Sequence, residues 1–200
     1  MLAQAASFQG LGQLPGGFTS QALGVSGDGS VVVGKGVVPG GPLGSKLEAF
    51  RWTSEGGIVG LGDLPTGLFS SRAHGVSGDG AVVVGYGSSV TFGVEGAEAF
   101  IWDQGHGMRS LQQVLTTDFA LGGALTGWQL TQATAISADG LTVVGFGANF
   151  NTRQTEAWRA DLRSVPSPPP PPSAVPEPAS VALLASGLVG FAAFRRKSKK

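Results

Sequence analysis

Short apolar runs broken by glycine and polar residues fill the first 165 positions, and one such run returns three times. Gly24-Val25-Ser26-Gly27-Asp28-Gly29-Ser30-Val31-Val32-Val33-Gly34 recurs almost unchanged at residues 75–85 and more loosely at 135–145. Each copy is an apolar stretch, an Asp-Gly break and consecutive valines or a Thr-Val-Val run, whose β-branched side chains suit a buried, pleated surface. The pattern predicts three β-hairpins, each closed by a two-residue Asp-Gly turn.

Other segments keep step with the hairpins. Leu11-Gly12-Gln13-Leu14-Pro15 matches Leu61-Gly62-Asp63-Leu64-Pro65 at a separation of 50, and Leu111 falls another 50 on. Glu48-Ala49-Phe50-Arg51-Trp52 matches Glu98-Ala99-Phe100-Ile101-Trp102 at 50, and Glu156-Ala157-Trp158-Arg159-Ala160 follows 58 later. Asp28, Asp79 and Asp139 are 51 and 60 apart, which places the extra residues of the third unit within 116–132. A period of about 50 residues is the length of a four-stranded blade.

The predicted domain, 8–164, therefore holds three units at about 8–60, 61–110 and 111–163. The first reads as strands at 22–26, 31–33, 49–52 and 58–61. Alternation along the third strand puts Phe50 and Trp52 on one face and Ala49 and Arg51 on the other, with the rings expected to pack between units. Dissimilar loops at 36–46, 87–96 and 147–155 are where a binding surface is expected. Residues 8–14 resemble a fourth strand and the last unit stops after its third, so an N-terminal strand is expected to complete that unit. The fold class is all-β and propeller-like, with a compact pseudo-threefold, trefoil-like barrel as the alternative. Propeller rings commonly have four to eight blades, so three units either close tightly or form an open arc that needs a partner copy.

Composition sharpens this picture. Glycine makes up 34 of 200 residues and no long helical period occurs before residue 165, so helix is a minor component. Residues 1–164 carry eight Lys/Arg against twelve Asp/Glu, whereas 165–200 carry five against one. A mildly acidic domain without a basic stripe offers nothing to nucleic-acid phosphates. The absence of cysteine excludes disulfides, thiol catalysis and thiolate zinc sites.

Candidate chemistry is sparse. Asp28, Asp79 and Asp139 suit calcium by residue type, but one carboxylate per turn is too few, and turn formation is the better reading, so no metal or cofactor is expected. His74 has Leu23 and Thr134 as counterparts, and with His106 it is read as a surface or rim histidine outside any catalytic triad. Residues 40–46 lack the Gly-Lys-Ser/Thr order of a phosphate loop. Trp52, Trp102 and Trp158 lie in predicted strands and are assigned to packing, leaving Trp128 and Tyr86 as candidate ligand contacts.

The ends carry addresses. Ala3-Gln4-Ala5 looks like the cleavage site of a signal peptide, so residues 1–7 are expected to be its remnant. A proline-rich spacer at 165–174 leads to Pro176-Glu177-Pro178, an apolar segment at 179–194 and Arg195-Arg196-Lys197-Ser198-Lys199-Lys200. As a helix the apolar segment would run about 24 Å, nearly a membrane span, with the basic end kept cytoplasmic.

The Gly-Val-Ser-Gly-Asp-Gly, Val-Val-Val-Gly, Glu-Ala-Phe-x-Trp and Leu-Gly-x-Leu-Pro elements together resemble the extracellular HAF repeat family over about residues 8–163. That resemblance implies an exported, propeller-like protein and brings no enzymatic assignment. Residues 175–200 resemble the PEP-CTERM sorting signal, with its three parts in order. This second resemblance implies processing by exosortase, a membrane cysteine protease/transpeptidase of bacteria that make extracellular polysaccharide. Pro176, Glu177, Pro178, Arg195, Arg196 and Lys197 would be its sorting determinants, and membrane anchoring through 179–194 would be transient. The expected function is a non-enzymatic binding or structural role at the cell surface or in the extracellular, exopolysaccharide-rich biofilm matrix. The alternatives are an exported polysaccharide-active enzyme, which needs two opposed carboxylates in a cleft, or a C-terminally membrane-anchored periplasmic binding domain.

Overall fold

The computed structural model describes residues 6–40, 44–65, 70–91 and 94–163. The predicted linker at 165–174, the sorting tail at 175–200 and its apolar segment at 179–194 lie outside the described residues, as does most of the expected signal remnant. The chain divides into two units, Met1–Ser164 and Val165–Lys200, and every element below belongs to the first.

Among the described residues, strands form three antiparallel sheets. The first runs β1 (Thr19–Val25), β2 (Val31–Pro39), β3 (Ser45–Thr53) and β4 (Gly57–Gly60), in that spatial order. The second repeats it with β5 (Ser71–Val76), β6 (Val82–Thr91), β7 (Val94–Asp103) and β8 (Gly107–Ser110). After the helix α1 (Leu111–Thr117) comes a third sheet of β9 (Trp128–Ile136), β10 (Thr142–Asn149) and β11 (Gln154–Asp161). The second and third strands of each unit are much longer than the apolar runs suggest. They pair from Val31↔Thr53 to Pro39↔Ser45, and from Val82↔Asp103 to Thr91↔Val94, so much of each expected loop is ladder.

Packing joins the sheets in a row. β5 seats on β1, β2 and β3, and β9 seats on β5, β6 and β7. The third sheet does not pack back on the first among the described residues, so neither a closed propeller nor a trefoil-like barrel forms. The expected N-terminal completion of the last unit is also absent: residues 6–13 form no strand and the third sheet keeps three.

Burial follows the repeat. Val31, Val33 and Ala49 of the first sheet share a cluster with Ala73, Val76, Val83 and Phe100 of the second. Val84, Ala99 and Ile101 on the other face of the second sheet meet Leu130, Ala133, Val143 and Ala160 of the third. Phe100 thus packs between units as the alternation predicts, whereas Phe50 turns to the outer face of the first sheet with Leu14 and Val38. Trp52, Trp102 and Trp158 are half-buried at the margins of these layers. Each sheet also receives an apolar residue from the segment preceding it: Leu14, Leu64 and Val114, all buried and 50 apart.

Two local features explain the spacing. A Cβ on Gly34, Gly85 or Gly145 would strike the backbone carbonyl of Gln21, Arg72 or Gln132 across the ladder, so glycine must end each valine run. The helix α1 was hidden by its shortness. Ser110 caps it, its Oγ accepting from the Gln113 N–H at 3.2 Å, and Leu111, Val114 and Leu115 bury the i, i+3, i+4 face.

Phe100→Ala removes a fully buried ring from the layer between the first and second sheets. The expected loss of unfolding free energy is about 3–5 kcal/mol, read as a fall in the urea midpoint.

Candidate functional site

The three Asp-Gly hairpins hold the repeated carboxylates. Their turns are longer than two residues: Ser26, Ser77 and Ser137 pair through their N–H groups with the carbonyls of Val31, Val82 and Thr142 at 2.8–2.9 Å, leaving four residues in the loop. The Gly29 N–H donates to the Ser26 carbonyl at 3.0 Å, and within these turns positive φ falls on Gly29, Gly80 and Gly140, at 74°, 71° and 72°. This is a type I turn followed by a left-handed glycine, not the two-residue mirror-image turn.

In each turn the Asp side chain is an acceptor within the loop. Ser26 Oγ donates to Asp28 Oδ1 at 2.7 Å, and the Ser30 N–H donates to the same oxygen at 2.9 Å. Ser26 Oγ in turn accepts from the Val31 N–H at 2.9 Å. Asp79 and Asp139 repeat this with Ser77 and Ala81, and with Ser137 and Leu141. The serine hydroxyl lowers all three carboxyls, with help from the following backbone N–H, and Asp28 falls to about 2. Among the described residues no three His, Cys, Asp or Glu side chains gather to hold a metal.

The histidines occupy two different surroundings. β1, β5 and β9 each carry a bulge in the same place, and the bulged residues are Leu23, His74 and Thr134. Extruded there, His74 comes within 3.1 Å of Gln132 Nε2 on the third sheet, and the amide donates to the ring Nε2. Its ring centroid lies 5.6 Å from that of Tyr86, and the Arg72 guanidinium stands 5.4 Å above the Tyr86 ring. Burial, followed by the Arg72 and Lys35 charges, holds the imidazole below its ordinary pKa and favours the neutral ring. Arg72, His74, Tyr86 and Gln132 thus form a half-buried polar and aromatic patch across the second and third sheets.

His106 is exposed in the β7–β8 turn, its Nδ1 2.9 Å from Asp103 Oδ1. Asp103 also accepts the Gly105 and His106 N–H groups at 2.9 Å each, and Arg109 bridges it to Asp118 at 3.5 and 3.0 Å. The glutamates of the third strands are tied down locally: Glu98 accepts from Ser110, and Glu156 from Asn149 and Thr152. A groove lined by Gly10–Gln13 and Phe18–Ser20 offers no titratable side chain.

Of the two candidate ligand contacts, Tyr86 belongs to the His74 patch. Trp128 opens β9 and packs on the core beside α1, and its carbonyl accepts from Gln112 Nε2 at 2.9 Å. The positions of Arg72 and Gln132 escaped the sequence reading. Their signal was available: Gln21, Arg72 and Gln132 keep the hairpin spacing, opposite Lys35, Tyr86 and Phe146.

The sorting determinants Pro176, Glu177, Pro178, Arg195, Arg196 and Lys197 lie outside the described residues. Comparison of the sequence with protein families matches the PEP-CTERM protein-sorting motif at residues 174–197, which contains all six. The motif marks an exported, cell-surface-directed protein that exosortase processes. No curated protein and no solved structure matches the chain.

Because Asp28 is lowered from 3.8 to about 2 in the fold, its ionised form favours the folded state above pH 3.8, and that contribution is lost as pH falls toward 2. A carboxyl NMR titration is expected to give Asp28 a midpoint near 2, and Ser26→Ala to move it upward toward 3.8.

Proposed function

We propose that the chain is a non-enzymatic, HAF-type β-repeat protein that exosortase delivers to the cell surface, where it binds or scaffolds extracellular polysaccharide. The observation that carries this reading is the sorting motif at residues 174–197, because it joins the repeat unit to a surface-delivery route. Before processing, the apolar segment 179–194 spans the membrane with the basic end in the cytoplasm. Exosortase recognises Pro176-Glu177-Pro178 and removes the tail.

Three features support a scaffold with a binding face over a polysaccharide-active enzyme. The repeated aspartates are engaged in their own turns, and Glu98 and Glu156 hydrogen-bond to neighbouring side chains, whereas glycoside hydrolysis needs two carboxylates facing a substrate. The three sheets stack in a row, the first strand of each laid across the sheet before it. The Arg72–Tyr86–His74 patch combines a ring for stacking on a sugar with donors for hydroxyl or carboxylate groups.

Two measurements test the reading. In an exosortase-bearing host, Glu177→Ala with Pro178→Ala is expected to leave the tail attached, as seen in the intact mass of the surface fraction; normal trimming defeats the sorting half. On a glycan array the full chain is expected to retain polysaccharide fragments, with signal reduced by Tyr86→Ala. Empty arrays, or release of reducing ends from the same glycans, defeat the binding half.

A further inference from the structure

The two outer faces of the three-sheet row are the two halves of the junction that the row already makes twice. Val33 and Val84 are fully buried by the following sheet, but their counterpart Val144 is 38 % exposed, no further sheet following it among the described residues. Ala49 and Ala99 are likewise buried, and Ala157 is exposed. At the other end, Val76 is buried against the preceding sheet, whereas its counterpart Val25 is 60 % exposed. Val83 is buried and Val32 only half-buried.

Polar groups break off in the same register. The Gly27 N–H donates to the Gly78 carbonyl at 3.1 Å, and the Gly78 N–H donates to the Ala138 carbonyl at 2.8 Å. The ladder ends with the Ala138 N–H on the third sheet and the Gly27 carbonyl on the first, neither bonded to another backbone group among the described residues. Arg51 Nε donates to the Gly80 carbonyl of the next turn at 3.3 Å. Arg159 stands at the Arg51 position on the third sheet, and Gly29 stands at the Gly80 position on the first. An apolar strip, a backbone donor and a guanidinium on one end face thus meet an apolar strip and two carbonyls on the other.

We infer that the third sheet of one copy docks on the first sheet of a second copy, head to tail, reproducing the internal junction between chains. The unlike faces make the contact heterologous, which closes into a ring or continues as a string. Closure after two copies gives six sheets, within the four to eight of propeller rings. Ala135 and Ala138 place methyl groups where both internal junctions have glycine, at Gly24 and Gly75 and at Gly27 and Gly78, so the junction between copies is set slightly wider.

The cysteine-free chain allows a direct test. A Cβ on Gly78 would lie 3.1 Å from that of Ala138, so a slightly wider copy of this contact falls near the Cβ separation of about 3.5–4.5 Å in disulfides. Full-length Gly27→Cys and Ala138→Cys chains, each verified by circular dichroism, are mixed in mild detergent and oxidised. The expected product is the mixed 27–138 disulfide, identified by peptide mass spectrometry, with Val144→Asp or Val25→Asp lowering its yield by about tenfold or more. Absence of the mixed disulfide overturns the inference. So does a yield unaffected by the charge substitutions, which marks association through the tail, or a predominance of 27–27 and 138–138 links, which marks like-with-like packing.

Discussion

Apolar contact between one sheet and the next is the interaction on which everything else here rests. A sheet of three or four short strands with one face in water has too little core to stand alone. Here each central layer is closed only when the following unit lays its first strand across it. The constraint is visible in the second sheet, which buries Val83 and Phe100 on one side and Val84, Ala99 and Ile101 on the other. The hairpin turns serve the same end, because their stacked backbone groups align successive sheets at the level of Gly27, Gly78 and Ala138. The segments preceding the sheets add a lid to each layer in Leu14, Leu64 and Val114.

Much of this was legible in the residues, because repetition turns one sequence into three readings of the same structure. The hairpin positions and the alternation around Phe100 were all readable. What escaped was set by tertiary contact or by backbone geometry. Whether three units close depends on the angle between packed sheets, which no single unit encodes. The turn was misjudged because Asp-Gly is a strong two-residue signal, whereas here Ser26 Oγ reaches both Asp28 and the Val31 N–H and holds a wider loop. The strands outran their valines because residues such as Lys35, Ser88 and Glu98 sit at polar ladder positions that hydrophobicity does not mark. The helix α1 was concealed by its length of only about two turns, although Ser110 and Gln113 have the spacing of a capping box.

The candidate site was legible in a different measure. Comparing copies correctly lined up Leu23, His74 and Thr134, but not the bulge that gives them a shared direction. That bulge turns His74, read from the sequence as a rim histidine, toward Gln132 and Tyr86, and Arg72 lies beside them through ordinary strand pairing. Variation at a position where the backbone is constant is thus itself informative, since the scaffold presents whatever residue stands there. The sorting tail followed another logic, since its signal is a short string of residue types in order rather than a pattern of burial, and that string is what the family comparison matches at residues 174–197.

The lids that precede each sheet have a consequence for the length of the row. Because a unit arrives with its own cover and ends on a face that accepts another unit, the row has no built-in length. Duplicating the stretch from Leu61 to Ser110 would add a sheet while leaving both end faces and the tail as they are. Such a duplication would lengthen the row by one sheet per copy, each new junction repeating the contact that already joins the first sheet to the second.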